Sequence, residues 1–329
     1  MRNLARRGLL KIIDDLTAEN RRHRDPEIEA RLVELRRDAG VYTGRSRSTR
    51  SWPPQVRDRF RRSVGLPEVT PDYLTPQILR SAIFCHGCLL VRGLVRRERV
   101  DQLVYDIDRA FSAYDDHAQG AQVSETAPWY VPFEPAAPFH DNFIPRPWLR
   151  RVGAVLVVDS PRALFDVIET FEELGLPALV TKFLCERPVL LAMKWTLRRQ
   201  TVTENLSDWH QDGAFLGRAI RSINVWISLS HCGVDAPGLD IVARRFEDIV
   251  PTGTDGANFD WSVGHGMVER ITTGEIVRPV FEPGDALLLD HMLLHRTGVD
   301  PGMTLRRHAI EAWFASTSTY PADHIPIAY

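Results

Sequence analysis

Two histidines and an aspartate have the residue types and spacing of a metal site. His210 and Asp212 lie two residues apart in DWHQDGAFLG, and Gly213 follows them directly. Since side chains at i and i+2 share one face of a strand, we expect His210 and Asp212 to project together. His295, in EPGDALLLDHMLLHRTG, is the candidate third ligand. Two histidines and one carboxylate leave coordination positions open, as in non-haem Fe(II) oxygenases, whereas a structural zinc site usually closes with four ligands.

The His-x-Asp pair also has a simpler interpretation. The chain contains 11 histidines, so such a pair can arise by chance among polar residues on an exposed strand. His291 and His308 also occur near the C-terminal strands, and His231 lies beside Cys232. The pair alone therefore leaves the metal site open.

Two arginines follow His295 in MTLRRHAIEAWF, a segment whose alternation predicts a strand. A diacid cosubstrate that chelates iron at one end needs a cation for its distal carboxylate, and arginine offers a rigid bidentate donor. Because adjacent strand residues face opposite sides, only one of Arg306 and Arg307 can serve. Thr297, two residues after His295, would share its face and could add a hydroxyl donor.

The elements that must position these residues change in character along the chain. Residues 1–40 are charged and predict helix, residues 96–117 have apolar side chains at helical spacing, and residues 161–185 predict a helix pair broken near Gly175. After residue 187, short apolar or alternating segments are separated by Gly and Pro, which is typical of a β-sandwich or barrel.

These patterns predict a mainly β protein with flanking helices, built around a β-barrel. We expect a helical N-terminal extension and linker over residues 1–75 and one main domain over residues 76–329.

The composition argues against several classes of function. The chain has 329 residues, of which 44% are hydrophobic, so it can bury a sizeable core. A formal net charge of −2 gives no global positive field, so we expect no nucleic-acid partner. No apolar run reaches the roughly 18 residues of a membrane span. Four cysteines are too few for a disulfide scaffold and favour a reducing cytoplasm.

The chain has one CxxC motif, Cys85 to Cys88. It lacks a second pair and runs into CLLVRGLV, a predicted strand, so we favour a structural role over zinc or redox chemistry.

Two segments are candidates for a substrate pocket. Residues 125–143, ETAPWYVPFEPAAPFHDNF, are rich in proline and aromatics, and they form either a lid over the barrel mouth or a segment that packs against the barrel. Trp261 and His265 are a second candidate. Lys194, in MKWTLRR, either faces the cosubstrate or is a solvated strand residue, and we favour the latter.

Four blocks occur in the order WHQDG, INVWISL, PGDALLLDHMLLHRTG and RRHAIEAWF, and together they resemble the phytanoyl-CoA dioxygenase-like family. The resemblance covers roughly residues 80–320. Its members are Fe(II)- and 2-oxoglutarate-dependent oxygenases with a double-stranded β-helix, a jelly-roll and cupin-like fold. The resemblance implies that His210, Asp212 and His295 bind iron.

It also implies how the cosubstrate is held. The family's RxAI pattern falls on residues 307–310, so Arg307 is preferred to Arg306 for the distal carboxylate of 2-oxoglutarate. Thr297 and Trp226 match positions that often line the same pocket. The family's turn after the central strands differs here, in GLDIVARR, so the substrate cannot be carried over from relatives.

The implied reaction couples oxidation of an unactivated C–H bond of a small molecule, in biosynthesis or catabolism, to conversion of 2-oxoglutarate and O2 into succinate and CO2. Halogenating relatives replace the carboxylate ligand with a small residue, so Asp212 favours hydroxylation or a related oxidation. One alternative is a cupin-like isomerase or hydrolase that keeps the metal, but it would not need Arg307. Another is a barrel retained as a binding module, which the intact ligand set opposes.

Overall fold

Most helices of the described chain precede residue 188, and most strands follow it. The computed structural model describes residues 2–43, 51–61, 65–135, 137, 139, 148–204 and 208–329. The helices are α1 (Arg2–Arg22), α2 (Pro26–Thr43), α3 (Pro76–His86), α4 (Arg97–Ala118), α5 (Val123–Thr126), α6 (Trp148–Arg151), α7 (Pro161–Glu173), α8 (Leu176–Leu184), α9 (Gly213–Leu216) and α10 (His265–Ile271). The strands are β1 (Glu68–Val69), β2 (Cys88–Val91), β3 (Ala154–Leu156), β4 (Pro188–Gln200), β5 (Ser222–Ser228), β6 (Gly238–Arg245), β7 (Ile276–Val277), β8 (Ala286–Leu289), β9 (Leu293–Gly298), β10 (Arg307–Ser316) and β11 (Pro326–Ile327). More residues are helical than extended, so the fold is mixed α/β, with a larger helical share than the predicted mainly β class with flanking helices.

Among the described residues the strands form two sheets. The large sheet has eight strands in the order β1-β2-β8-β5-β10-β4-β11, with β3 also paired to β4. All its pairs are antiparallel except β1 with β2. The small sheet has the order β7-β6-β9 and is antiparallel.

Alternation along β10 divides the large sheet into two faces. Ile310, Ala312 and Phe314 belong to an apolar core shared with α3, α4, α7 and α8, which cover that face. The rings of Phe171 and Phe314, for example, lie 5.5 Å apart. Arg307 and Glu311 lie on the other face, because side chains at odd and even positions of a strand point to opposite sides.

That second face packs against the small sheet. Trp226 and Leu287 of the large sheet share a buried cluster with Leu239 and Ile241 of the small sheet. Apolar side chains from two facing sheets are consistent with a β-sandwich. No strand pairing joins the two sheets in the described ranges, so the predicted closed barrel is not found there.

Local signals fix the helix that leads into β2. Thr75 caps α3 by accepting a hydrogen bond from the Ile78 amide, Pro76 occupies the first turn, and Gly87 ends the helix with a φ of 89°. The predicted break of the second helix pair is confirmed, since α7 ends at Glu173 and α8 begins at Leu176.

The N-terminal helices pack on the rest of the chain. Helix α2 contacts α7 and β11. A Cβ on Gly40 would lie 1.9 Å from the carbonyl oxygen of Pro326, so only glycine allows this approach of α2 to β11. In the part of the chain that is described, no helix combines the length and the apolar character needed to cross a membrane.

Candidate metal centre

His210 and His295 are brought together by a single antiparallel bridge. The His210 amide donates to the His295 carbonyl over 2.9 Å, and the His295 amide donates back over 3.0 Å. The two imidazole centroids are 4.5 Å apart. His295 lies within β9, as the sequence predicts, whereas His210 lies in a bridge outside the named strands.

Asp212 is not on a strand. It is the N-terminal cap residue of α9, with φ −61° and ψ −23°. The two side chains lie close together as expected, but the predicted reason, an extended His-x-Asp stretch, is wrong. A change from extended to helical backbone between His210 and Asp212 turns the carboxylate toward both imidazoles instead.

Both imidazoles are oriented by backbone carbonyls. Nδ1 of His210 is 2.8 Å from the carbonyl oxygen of Asp208, and Nδ1 of His295 is 3.0 Å from that of Leu293. A carbonyl can only accept, so each Nδ1 donates a proton, and Nε2 is the nitrogen that faces the cluster as a possible ligand. Burial, and then the neighbouring His295, lower the pKa of His210 to about 4, which keeps that imidazole neutral. Neutral imidazoles held in this way are the form that binds metals.

The Asp212 carboxylate is buried, with only 3% exposed. Its Oδ2 lies 3.7 Å from Nε2 of His295 and has no hydrogen-bond partner among the described residues. A buried carboxylate oxygen without a donor is costly, and a bound cation would remove that cost.

One ligand atom each from His210, Asp212 and His295 lies within 4.8 Å of the others. No other such group of His, Cys, Asp and Glu occurs in the described ranges. Two imidazoles and one carboxylate match the facial donor set of non-haem iron sites, so the residues present fit this metal.

The neighbours of Asp212 hold it in place. Gly213 donates to the His291 carbonyl over 2.8 Å, and a Cβ there would lie 3.2 Å from the same oxygen. Gln211 is fully buried and points away from the histidines, donating to the Met292 carbonyl over 2.8 Å and accepting from the Val250 amide over 2.7 Å. The sequence analysis did not identify Gln211, because nothing in the sequence distinguishes a buried glutamine.

Lys194 lies at the site and is not a solvated strand residue, so the interpretation favoured from the sequence is wrong. Its Nζ is 3.8 Å from Oδ1 of Asp212 and 3.6 Å from the centroid of the Phe215 ring. Oδ1 of Asp212 thus faces a cation, while Oδ2 faces His295.

A second carboxylate, Glu311, lies on the inner face of the large sheet, the face that packs against the small sheet. It accepts from Nε of Arg198 over 2.9 Å and from the Asn224 amide over 3.3 Å. Burial alone would raise the pKa of Glu311, but Arg198 and Lys194 outweigh it and hold the pKa at about 2. The sequence analysis missed this group. The alternation of polar residues along MKWTLRRQ, residues 193–200, predicts a polar face on β4, where Arg198 lies, but it gives no signal for Glu311 on β10.

Arg307 is 1% exposed, whereas Arg306 is exposed. Arg307 donates to the Gly238 carbonyl of β6 over 2.8 Å and to the side-chain oxygen of Gln200, and its guanidinium lies 5.7 Å from the Trp226 ring. Its Nε has no hydrogen-bond partner, and no described carboxylate forms an ion pair with it.

Burial lowers the pKa of Arg307 to about 10. A buried cation without a counter-anion favours a carboxylate ligand, which fits the distal group of a diacid.

Thr297 and His295 lie two apart on β9, opposite Leu239 and Ile241 of β6. Gly298, next to Thr297, pairs with Gly238, the residue whose carbonyl accepts from Arg307. Thr297 is largely buried and lies between the metal ligand and the arginine along this sheet.

Only part of the aromatic segment over residues 125–143 lies in the described ranges. Trp129 packs edge-on against Tyr105 and Tyr130 against Tyr114, both on α4, so these two residues pack the segment against the helical layer. His140 and its following neighbours lie outside the described residues. Cys88 of the CxxC motif is fully buried in β2, and burial raises the pKa of its thiol to about 12, in keeping with a structural role.

Comparison with known proteins identifies the family. Residues 84–307 match the family described as Phytanoyl-CoA dioxygenase (PhyH). The chain belongs to this family. Phytanoyl-CoA dioxygenase family members are iron- and 2-oxoglutarate-dependent enzymes, so Fe(II), 2-oxoglutarate and O2 are the metal and cosubstrates of this chain. No curated protein matched the chain.

Three solved structures are among those similar to this chain. EvdO2 from Micromonospora carbonacea var. aurantiaca, complexed with 2-oxoglutarate, is 14% identical, with 74% of this chain and 91% of that chain covered at a TM-score of 0.45. AviO1 from Streptomyces viridochromogenes Tue57 is 19% identical, with 76% and 98% covered at a TM-score of 0.49. SnoK, a non-heme alpha ketoglutarate dependent carbocyclase from nogalamycin biosynthesis, is 11% identical, with 77% and 87% covered at a TM-score of 0.47. The family assignment rests on the match over residues 84–307.

Proposed function

We propose that this member of the family hydroxylates an unactivated C–H bond of a small molecule. The observation that supports it is the cluster of ligand atoms from His210, Asp212 and His295 within 4.8 Å of one another, with the buried guanidinium of Arg307 on the face of the large sheet that packs against the small sheet. A metal-dependent isomerase or hydrolase would have no need for that guanidinium.

In this proposal His210, Asp212 and His295 hold Fe(II) through Nε2, Oδ2 and Nε2. When bound, iron supplies the site at which the C–H bond, O2 and 2-oxoglutarate are converted into an alcohol, succinate and CO2. The protein orients both imidazoles, with Nδ1 directed to the carbonyls of Asp208 and Leu293 and Nε2 left for the metal. Lys194 faces Oδ1 of Asp212 and so favours presentation of Oδ2 to the metal.

We assign 2-oxoglutarate to Arg307, Thr297 and Trp226. Arg307 provides the cation for the distal carboxylate, and its bonds to Gly238 and Gln200 fix its direction. Trp226 lies under the guanidinium and packs edge-on against Phe281 at 4.8 Å, which gives the pocket an apolar wall. Thr297 adds a hydroxyl on the small sheet.

Three further proposals follow from the family and the composition. The two sheets belong to a double-stranded β-helix, as expected for this family, with residues 76–329 as the oxygenase domain and residues 1–75 as an extension. The four cysteines are free thiols, which is in keeping with the reducing cytoplasm. A role in a biosynthetic pathway stays a prediction.

The test is an anaerobic titration of the metal-free protein with Fe(II) and then 2-oxoglutarate, followed through the weak visible charge-transfer band. We expect the band in the wild type and its loss in Asp212→Ala. Iron affinity should fall by more than the roughly 10–100-fold that loss of an outer-shell partner costs. Asp248→Ala removes an exposed carboxylate from the loop that contacts Gln211 and should behave as the wild type. An unchanged band in Asp212→Ala would overturn the assignment of the ligands.

A further inference from the structure

Three aromatic side chains extend outward from His210 and form what we call the aromatic wall: Phe215, Trp261 and Phe259. The Trp261 ring lies 5.7 Å from the His210 ring and 5.9 Å from the Phe215 ring, both nearly perpendicular. Phe259 stacks on Trp261 at 4.9 Å with an interplanar angle of 6°. The wall therefore begins at a metal ligand and continues toward solvent.

The outer part of the wall is exposed. Phe259 is 38% and Trp261 37% exposed, although both are large and apolar. Single exposed hydrophobic residues are common and need no explanation. A stacked pair in contact with a metal ligand differs, because it places apolar ring surface where a substrate must approach the metal.

The segment that carries the wall is fixed to the metal-binding residues. The Asp208 carboxylate accepts from the Asn258 amide nitrogens, at 2.7 Å from the backbone and 2.6 Å from the side chain, and from Ser262 Oγ at 2.9 Å. The carbonyl of the same Asp208 orients Nδ1 of His210. The Val263 amide also donates to the Trp209 carbonyl over 2.7 Å. Asp208 thus joins the wall and the ligand, and the wall is ordered before a substrate binds.

The polar side chains at the base of the wall already bind other residues of the protein. Asn258 and Ser262 bind Asp208, and Lys194 covers one face of the Phe215 ring. A sugar would need hydrogen-bonding side chains around the ring on which it stacks, whereas a planar aromatic ring needs only an apolar face and edge contacts.

We propose that the aromatic wall is the substrate subsite and that it takes a planar aromatic ring system, packed against the Trp261 side of the wall beside the iron. This inference rests on the proposed function, which makes the bound molecule a substrate. It names the substrate class that the sequence leaves open.

The test measures binding of 2-naphthol to the anaerobic protein loaded with Mn(II) and 2-oxoglutarate, by ligand-observed NMR. The saturated analogue trans-2-decalol and methyl β-glucoside serve as competing probes of similar or smaller size. We expect 2-naphthol to bind more tightly than both. Mn(II) should broaden its proton signals, because a molecule on the wall lies close to the metal.

The variants separate stacking from other effects. Trp261→Leu keeps an apolar side chain but removes the ring face, so the 2-naphthol affinity should fall by about tenfold, and Trp261→Phe should restore most of it. Asp260→Ala changes the charge of the same segment, and Trp148→Ala removes a tryptophan of comparable exposure on α6. Both should bind as the wild type.

Each contrary result is informative. The proposal would be overturned if trans-2-decalol bound as tightly as 2-naphthol, if the glucoside bound more tightly, or if 2-naphthol did not bind. It would also be overturned by an equal loss of affinity in Asp260→Ala or by no loss in Trp261→Leu. Binding that depends on Trp261 but is not broadened by Mn(II), in a protein that forms the iron charge-transfer band, would overturn only the substrate assignment. Absence of the band with intact 2-naphthol binding would instead overturn the proposed function.

Discussion

At the scale of single residues, burial of the Arg307 side chain is energetically costly. It is buried, its pKa is lowered by burial, and it has no carboxylate partner among the described residues. Such a group is retained at a cost to folding, because an unpaired buried charge is unfavourable. A bound anionic cosubstrate would supply a carboxylate partner for Arg307 and so offset this cost.

We therefore predict that Arg307→Gln weakens 2-oxoglutarate binding at least about tenfold, since charge-assisted bidentate bonds are among the strongest in proteins. Iron affinity should stay within a few-fold of the wild type. The measurement is the charge-transfer titration with 2-oxoglutarate at saturating Fe(II), with thermal unfolding as a check on folding. Arg306→Gln is the matched control, because its side chain is adjacent but exposed. A larger loss in Arg306→Gln than in Arg307→Gln would contradict the assignment.

The residues that could be predicted from the sequence are those whose chemistry is uncommon. Two histidines and an aspartate at a suitable spacing, with an arginine beyond, indicate the metal and its diacid cosubstrate. Lys194 could not be placed, because a lysine in an alternating strand has the same sequence signature whether its head group faces Asp212 or water. Glu311 was missed for the same reason, since the partner that ionises it, Arg198, lies on another strand.

At the scale of elements, the sequence predicted the outcome of the His-x-Asp stretch but not its cause. The period of two suggested a strand, whereas the backbone turns into α9 at Asp212, the N-cap residue of that helix. The turn is stabilised by contacts that are remote in sequence, namely Gln211 with Met292 and Gly213 with His291. Short-range patterns do not contain such contacts, so element boundaries at the site could not be derived.

Gly213 gives a prediction at this scale. A Cβ there would lie 2.8 Å from Cδ1 of Ile249 and 3.2 Å from the carbonyl oxygen of His291. The isoleucine can move, but the carbonyl is held by the Gly213 amide. Gly213→Ala should therefore destabilise the fold by about 1–3 kcal/mol and weaken Fe(II) binding, because the start of α9 carries Asp212.

Denaturant unfolding and Fe(II) titration check this prediction. Gly302→Ala is the control, since a Cβ at Gly302 meets nothing within 4 Å. The double variant Gly213→Ala with Ile249→Val should recover only part of the loss, because the carbonyl contact remains. Full recovery would mean that the isoleucine alone sets the cost.

At the scale of the whole molecule, helices cover the outer face of the large sheet, and the site lies between its inner face and the small sheet. The sequence predicted the order of helices and strands well, because α4, α7 and α8 have clear apolar periods. It overestimated the share of β-structure, since the apolar segments after residue 187 do form strands but more residues of the described chain are helical than extended. Which sheet each strand joins depends on contacts between distant segments, and these do not appear in local patterns.

The packing of α4 on α7 buries a pair of carboxyl groups, Asp106 and Asp166, each 1% exposed. Asp106 accepts from the Gln102 side chain over 2.8 Å, and Arg24 bonds to Asp166. Burial first, and then the Asp166 charge, raise the pKa of Asp106 from 3.8 to about 7. The folded chain therefore keeps a proton here that the unfolded chain has already lost between about pH 4 and pH 7.

Because the folded state binds more protons over that range, the free energy of unfolding should fall as pH rises from about 4 to 7 and then level off. The Asp106 contribution is on the order of a few kcal/mol. Asp106→Asn resembles the protonated form and still accepts from Gln102, so it should match the wild type at pH 5 and be more stable at pH 8. Urea unfolding at both pH values measures this difference. Asp101→Asn, an exposed change on the same helix, should follow the wild type. Parallel pH profiles for the wild type and Asp106→Asn would mean that Asp106 is already ionised in the folded protein at pH 5.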